Sequence, residues 1–204
     1  MSIIKDDDVI VFDTETREQY VQQKIETFDL VPENDPILRE PLPPFDFKNP
    51  PVHPGDFASA LVESCIKHKG YGLSANQCGF KHRVFVMGAG KEYVAFFNPV
   101  VVKTEGEVHM EEACLSFPML SLKITRSEKI WVKYQDYTGD EKEAHYVGLS
   151  ARVWLHELDH MNGIVYTSIA KPLALQTGMK KRGKINKLIS RAQKASKIIE
   201  KRVK

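Results

Sequence analysis

Long apolar runs are missing from this chain. No stretch of eighteen consecutive apolar residues occurs, so the usual signature of a membrane-spanning helix is not there. Cysteine is scarce as well. Cys65, Cys78 and Cys114 are too few and too irregularly spaced for a disulfide framework. They fit a reducing compartment, where a lone cysteine is inert, catalytic or a metal ligand. The N-terminus, MSIIKDDDVIVFDTE, turns acidic at once and has no basic segment leading into an apolar one. Neither a secretory signal nor an Arg-rich, acid-poor transit peptide is expected, and a cytoplasmic setting without membrane contact follows. Internal repeats and long low-complexity tracts are also absent.

What is there is an ordinary globular composition, 42% apolar and 27% charged, on 204 residues. That length suits one domain with a real core and an appendage. The formal net charge of +2 hides an asymmetry. Residues 180–204 hold eleven Lys or Arg and one acid, Glu200, which leaves eighteen basic and twenty-six acidic residues before them. A basic tail on an acidic body points to a polyanion as the tail's partner.

Along the chain, residues 16–28 are expected to form a helix with Tyr20, Val21, Ile25 and Phe28 on one side. A Pro-rich approach follows from Pro32 to Pro54. Residues 55–69 show helical spacing of Phe57, Ala60, Leu61, Ser64, Cys65 and His68, and Gly70 supplies a stop. The stretches RVFVMG, YVAFFNPVVV, GEVHMEEACLSF, SLKITR and KIWVKYQDYTG read as strands separated by turns. GLSARVWLHELDHMNG then reads as one helix, with Ser150 as its N-cap and Gly163 as its end. Helix, antiparallel strands and helix in that order indicate an α+β domain, with antiparallel sheets packed around the last helix.

Within that helix, His156 and His160 lie four apart and so on one face, where both imidazoles can meet one metal. Glu157 stands just to the side, placed to reach a water held there without being a ligand. The alternative is a solvated polar face. Val153, Trp154, Leu155 and Leu158 make the helix apolar nearly all round, however, and a helix of that kind is buried. A catalytic metal with two histidines needs a third protein ligand. After His160 there is no histidine, and no acid before Glu200, so the third ligand lies upstream. Cys114, in EEACLS, is one candidate; read alone it is equally a small buried hydrophobe.

Three segments carry a resemblance. Gly70-Tyr71-Gly72-Leu73-Ser74-Ala75-Asn76-Gln77, Glu112-Ala113-Cys114-Leu115-Ser116 and His156-Glu157-Leu158-Asp159-His160 resemble, in order and content, the peptide deformylase motifs G-x-G-L-A-A-x-Q, E-G-C-L-S and H-E-x-D-H. NDPILRE at 34–40 is similar to the family's D-P-x-L-R segment, so that the likeness spans about residues 34–172. Four positions depart from the pattern: Ser74 for Ala, Ala113 for Gly, Leu155 for the usual Gln, and Tyr71 for a smaller aliphatic. None of them is a ligand or the acid–base residue.

The resemblance implies a metal-dependent hydrolase that removes the N-formyl group from the initiator formyl-methionine of nascent polypeptides and releases formate. It implies Cys114, His156 and His160 as ligands of one divalent ion, Fe(II) first, with Zn or Ni able to take the same site. Glu157 would be the acid–base group. The Gln77 amide and the Leu115 backbone N–H would meet the developing oxyanion. Gly72 would allow close backbone approach, and the substrate would pair along Gly70–Leu73 as an added strand. From their positions beside the motifs, Tyr71, Met110, Leu149 and Val153 are candidates for the methionine pocket, each equally at home as ordinary core. Asp159 either orients a ligand histidine or forms an ion pair, for example with Arg152.

This gives three parts: an N-terminal extension at 1–33, a catalytic domain at 34–175 and a basic helix or tail at 176–204. The tail's Ile185, Leu188, Ile189, Ala192, Ala195, Ile198 and Ile199 fall near one side of a basic helix. It either packs on the body or contacts ribosomal RNA, as in some bacterial deformylases. A monomer is expected, in a bacterial cytosol or a phage-infected host. Two other classes, a peptidase-type metallohydrolase and a silent RNA-binding protein on the same fold, are opposed by the missing downstream ligand and by the intact motif residues.

Overall fold

The structure is a computed structural model that describes residues 26–203 apart from Lys91, with side chains described as far as Ser196. Most of the helix expected at 16–28 lies outside the described residues, and Glu26–Phe28 are not helical.

The described part opens with an extended segment that binds helix α1, Pro54–Lys67. The Phe28 amide donates to Ser64 Oγ, and Lys67 Nζ donates to Thr27 Oγ1. After α1 come seven strands: β1 Gly72–Ser74, β2 Val84–Ala89, β3 Glu92–Glu105, β4 Val108–Ala113, β5 Ser121–Arg126, β6 Lys129–Gln135 and β7 Glu141–Val147. They form a five-stranded sheet in the order β1-β2-β3-β6-β7 and a separate β4–β5 pair, and every pairing is antiparallel. Helix α2, Leu149–Met161, a short α3, Tyr166–Ile169, and a long α4, Pro172–Val203, complete the α+β architecture.

Alternation along the strands divides the core. Val84 and Val86 face α1, with Phe57, Leu61 and Phe45 of the Pro-rich strap. Phe85, Phe96, Ile130 and Val132 face the opposite way, onto Ala151, Trp154 and Met161 of α2. The five-stranded sheet is thus covered on both sides near β2, with α2 against one of them. A third cluster joins Ile37, Leu38, Cys114, Leu120, Leu122 and Tyr166, and carries the β4–β5 pair.

Helix α2 is fixed at both ends. It starts at Leu149, behind Gly148, so Ser150 lies inside the first turn and is not the cap. Gly148 has a φ of 62° and its amide donates to the Glu128 carbonyl, which makes the entry a glycine turn in place of the expected serine cap. At the far end the amides of Asn162, Gly163 and Ile164 close the last turn, and Gly163 takes the left-handed conformation that ends it. The Met161 carbonyl also accepts from Leu42 N and Arg83 Nη1. A strap and a cation therefore close the helix where its carbonyls carry partial negative charge.

Helix α4 begins at Pro172, so that the boundary drawn between 175 and 176 falls within it. Leu175 and the buried Gly178 seat its first turns near β5, and Arg182 pairs with Glu33. From Asn186 to Ser196 every side chain is exposed. Among the described residues no helix is long and apolar enough to cross a membrane.

Candidate metal centre and active site

Three elements meet at one point. β1 and the 3-10 turn Ala75–Cys78 that follows it carry Gly72, Ser74 and Gln77, the end of β4 leads into Cys114–Ser116, and α2 carries His156, Glu157 and His160. Cys114 Sγ and one nitrogen from each histidine lie within 4.8 Å of one another, and all three residues are buried. Sγ is 3.3 Å from His160 Nε2. That is close to the spacing of two ligands on one tetrahedral ion with bonds of about 2.3 Å to sulfur and about 2.0 Å to nitrogen. Cys65 and Cys78 sit elsewhere, and burial pushes both thiols up to about 12.

His156 is oriented by Glu112, whose Oε1 is 2.7 Å from Nδ1. A carboxylate only accepts, so Nδ1 carries the proton and Nε2 is left free for a metal. Burial alone would raise Glu112, but hydrogen bonds from Arg126 and His156 outweigh it and hold the carboxyl well below the usual range. Burial opposes charge on His156, yet Cys114, Glu112 and Glu157 together raise it. A cation on its free nitrogen is favoured by the Glu112 carboxylate behind the ring. Burial, helped by His156 and Arg126, lowers His160 and keeps it a neutral imidazole. One thiol and two correctly presented imidazoles fit a divalent metal.

Glu157 is only 3% exposed, and burial raises its pKa against the pull of His156 and the Ser74 hydroxyl. Ser74 Oγ donates to Glu157 Oε2 at 2.5 Å. On its other side the carboxylate lies over Gly72: a Cβ there would come within 2.5 Å of Oε1. Gly72 thus makes room for Glu157, a use the sequence reading assigned to the substrate alone. Gln77 accepts from the Ser74 amide through Oε1 at 2.9 Å. This turns Nε2 toward Ser116 Oγ at 3.0 Å and Cys114 Sγ at 3.5 Å.

Cys114, His156, His160, Glu157, Gln77 and Gly72 are therefore brought together, with Leu115 half-buried next to the thiol. The pocket candidates are more scattered. Leu149 and Val153 share the face of α2 that leads to Glu157, and Met110 shares the face of β4 that carries Glu112. Val153 and Met110 are half-buried, whereas Leu149 is 53% and Tyr71 is 62% exposed. Asp159 pairs with Arg126 at 2.8 Å, not with Arg152, and the histidine-orienting group is Glu112. Sequence reasoning gave no role to Glu112, Arg126 or the Ser74 hydroxyl. The signal for Glu112 was an acid on the inward face of a strand, two residues before a candidate ligand.

Comparison with known proteins agrees with this geometry. A family model described as polypeptide deformylase matches residues 27–176. A peptide deformylase of Thermotoga maritima is 37% identical over 142 residues, covering 68% of this chain and 84% of that protein. The crystal structure of a peptide deformylase from Legionella pneumophila superposes with a TM-score of 0.70 at 30% identity, covering 81% of this chain and 98% of that one. One from Synechococcus elongatus, solved in complex with actinonin, gives 0.69 at 27% identity, covering 76% and 86%. With its three motifs folded onto one buried Cys–His–His cluster, the chain belongs to the polypeptide deformylase family.

Proposed function

We propose that the chain hydrolyses the N-formyl group of initiator formyl-methionine on nascent polypeptides, with Cys114, His156 and His160 holding one divalent ion. The observation that carries this reading is the buried cluster of one thiol and two imidazoles, with Glu157 beside it and the Gln77 amide turned onto it. Fe(II) is the ion we assign, and the same thiol–imidazole set also suits Zn or Ni. When bound, the ion supplies Lewis acidity and lowers the pKa of a coordinated water.

The remaining work falls to the chain's own groups. Glu157 takes a proton from the attacking water and delivers it to the amine as the C–N bond breaks, leaving formate and a free N-terminus. Gln77 Nε2 and the Leu115 N–H donate to the formyl oxygen as it gains charge, Gln77 by exchanging its long 3.5 Å contact with Cys114 Sγ while it keeps the one with Ser116. The substrate backbone pairs with the free edge of β1, which accounts for tolerance of many sequences after the methionine. Its side chain lies toward Met110, Leu149 and Val153, with Tyr71 at the rim.

Residues 34–175 form the catalytic unit in this reading, preceded by an extension at 1–33. The segment from 176 onward is a basic arm whose Lys and Arg contact ribosomal RNA, on a monomer working in the cytoplasm. The test of the chemistry is Glu157→Gln. This variant keeps its metal and loses deformylation of formyl-Met-Ala-Ser by at least about a hundredfold, as befits an acid–base group. Near-normal turnover by the metal-loaded variant overturns the assignment.

A further inference from the structure

Ser74 stands where the family pattern has an alanine, and the mechanism above leaves its hydroxyl without a task. It is fully buried, at 0% exposure. Its Oγ lies 2.5 Å from Glu157 Oε2 and 3.3 Å from the Glu157 carbonyl, so its single proton goes to the carboxylate. The other oxygen, Oε1, rests against Gly72 on the edge strand. The two oxygens of Glu157 are thus in different surroundings: one is engaged by a donor inside the protein, the other faces the strand on which the substrate is proposed to lie.

We infer that Ser74 is a positioning residue that reserves Oε1 of Glu157 as the oxygen carrying the transferred proton. This rests on the reading of Glu157 as the acid–base group. With Ser74 donating to Oε2, a proton placed there weakens that charge-assisted bond, whereas no hydrogen bond among the described residues engages Oε1. A proton taken from water therefore rides on Oε1, beside Gly72, and leaves from there to the amine. An alanine supplies no donor, so either oxygen could take the inner place and the carboxylate would lose one of the two contacts that hold its plane. Ser74 also sets the partner group, since its amide donates to Gln77 Oε1 at 2.9 Å. That second contact is made by the backbone and survives any side chain, so replacing the hydroxyl isolates its action on Glu157.

The test is Ser74→Ala in the full-length, metal-loaded protein, with kcat and KM measured on formyl-Met-Ala-Ser beside metal content. The expected result is a kcat about tenfold lower, the rate equivalent of one hydrogen bond to a charged group. KM stays within about twofold and the metal content is unchanged, because neither cleft nor ligands are touched. An unchanged or raised kcat overturns the inference, and so does a loss of rate that merely follows a loss of metal. A second measurement places Ser74→Ala in a Glu157→Asp background, where the carboxylate is drawn back from the hydroxyl by one methylene. There the substitution has no further effect; a full loss in that background shows that Ser74 acts on something else. If Glu157→Gln retains activity, the underlying mechanism has failed. If Glu157→Gln is inactive while Ser74→Ala is neutral, only the role of Ser74 has.

Discussion

At Glu112 four donor contacts converge on one buried carboxylate: Arg126 through Nε and Nη2, Arg152 through Nη1 and His156 through Nδ1, all at 2.7–2.9 Å. A charge this far from water is stable only because its lone pairs are all engaged, and its removal strands two buried guanidinium groups. Glu112→Gln is therefore expected to weaken metal binding by about 10–100-fold, the usual effect of losing an outer partner of a ligand histidine. Metal release to a competing chelator reads this directly, and unchanged release rates would deny Glu112 its orienting role. His156, His160 and Glu157 stood out in the sequence because their geometry is local, one turn of helix; the roles of Cys114 and Gln77 came only with the family resemblance. Glu112's partners were not, because Arg126 reaches it across a hairpin and Arg152 from forty residues away. The register that sets Arg126 opposite Val108 is a property of paired strands, and a single sequence does not display it.

Most strands were legible from period-two alternation between turn residues, and β5 has the bounds expected of SLKITR. β7 was not, since in EKEAHYV only Ala144 and Tyr146 are covered. As the last strand of the five-stranded sheet it has one open edge, and charged side chains there discourage pairing with another chain. Its register is fixed by the turn from β6, where Asp136 Oδ1 accepts from the Thr138 amide, the Thr138 hydroxyl and the Asp140 amide. Burial raises the Asp136 pKa, but these bonds and Lys142 outweigh it and leave it below the usual 3.8. A depressed carboxyl stabilises the fold fully above its unfolded pKa and loses that contribution as pH falls through the folded value. Asp136→Ala should accordingly cost about 1–2 kcal/mol near neutral pH. The gap in thermal midpoint between variant and parent should close as the pH is taken below about 4. A gap that stays constant down to acid pH would remove the ionised carboxylate from the account.

Taken whole, the molecule is an acidic body with a basic arm. Eighteen residues of α4, from Asn186 to Val203, extend over about 27 Å of helix, and the side chains of Asn186–Ser196 are all exposed. Among the described residues, none of the side chains of that half is buried against the body. Deleting 186–204 should leave kcat on formyl-Met-Ala-Ser within about twofold and the thermal midpoint nearly unchanged, because every side chain described in that segment is exposed. Ribosome binding should weaken and become less sensitive to salt, since each lost phosphate contact lowers the salt slope by about one. Binding that keeps its strength and salt dependence would assign the arm another task. At one edge of the five-stranded sheet, β1 is three residues long and pairs only with β2 among the described strands. Its outer edge spans about 10 Å, and the Ser74 amide is already taken by Gln77 Oε1. In the proposed pairing, a nascent chain held along that length is gripped by its first few residues only, however long the rest has grown. So brief a handhold leaves few main-chain bonds to break, which suits an enzyme that must let go of each new polypeptide before it attends to the next.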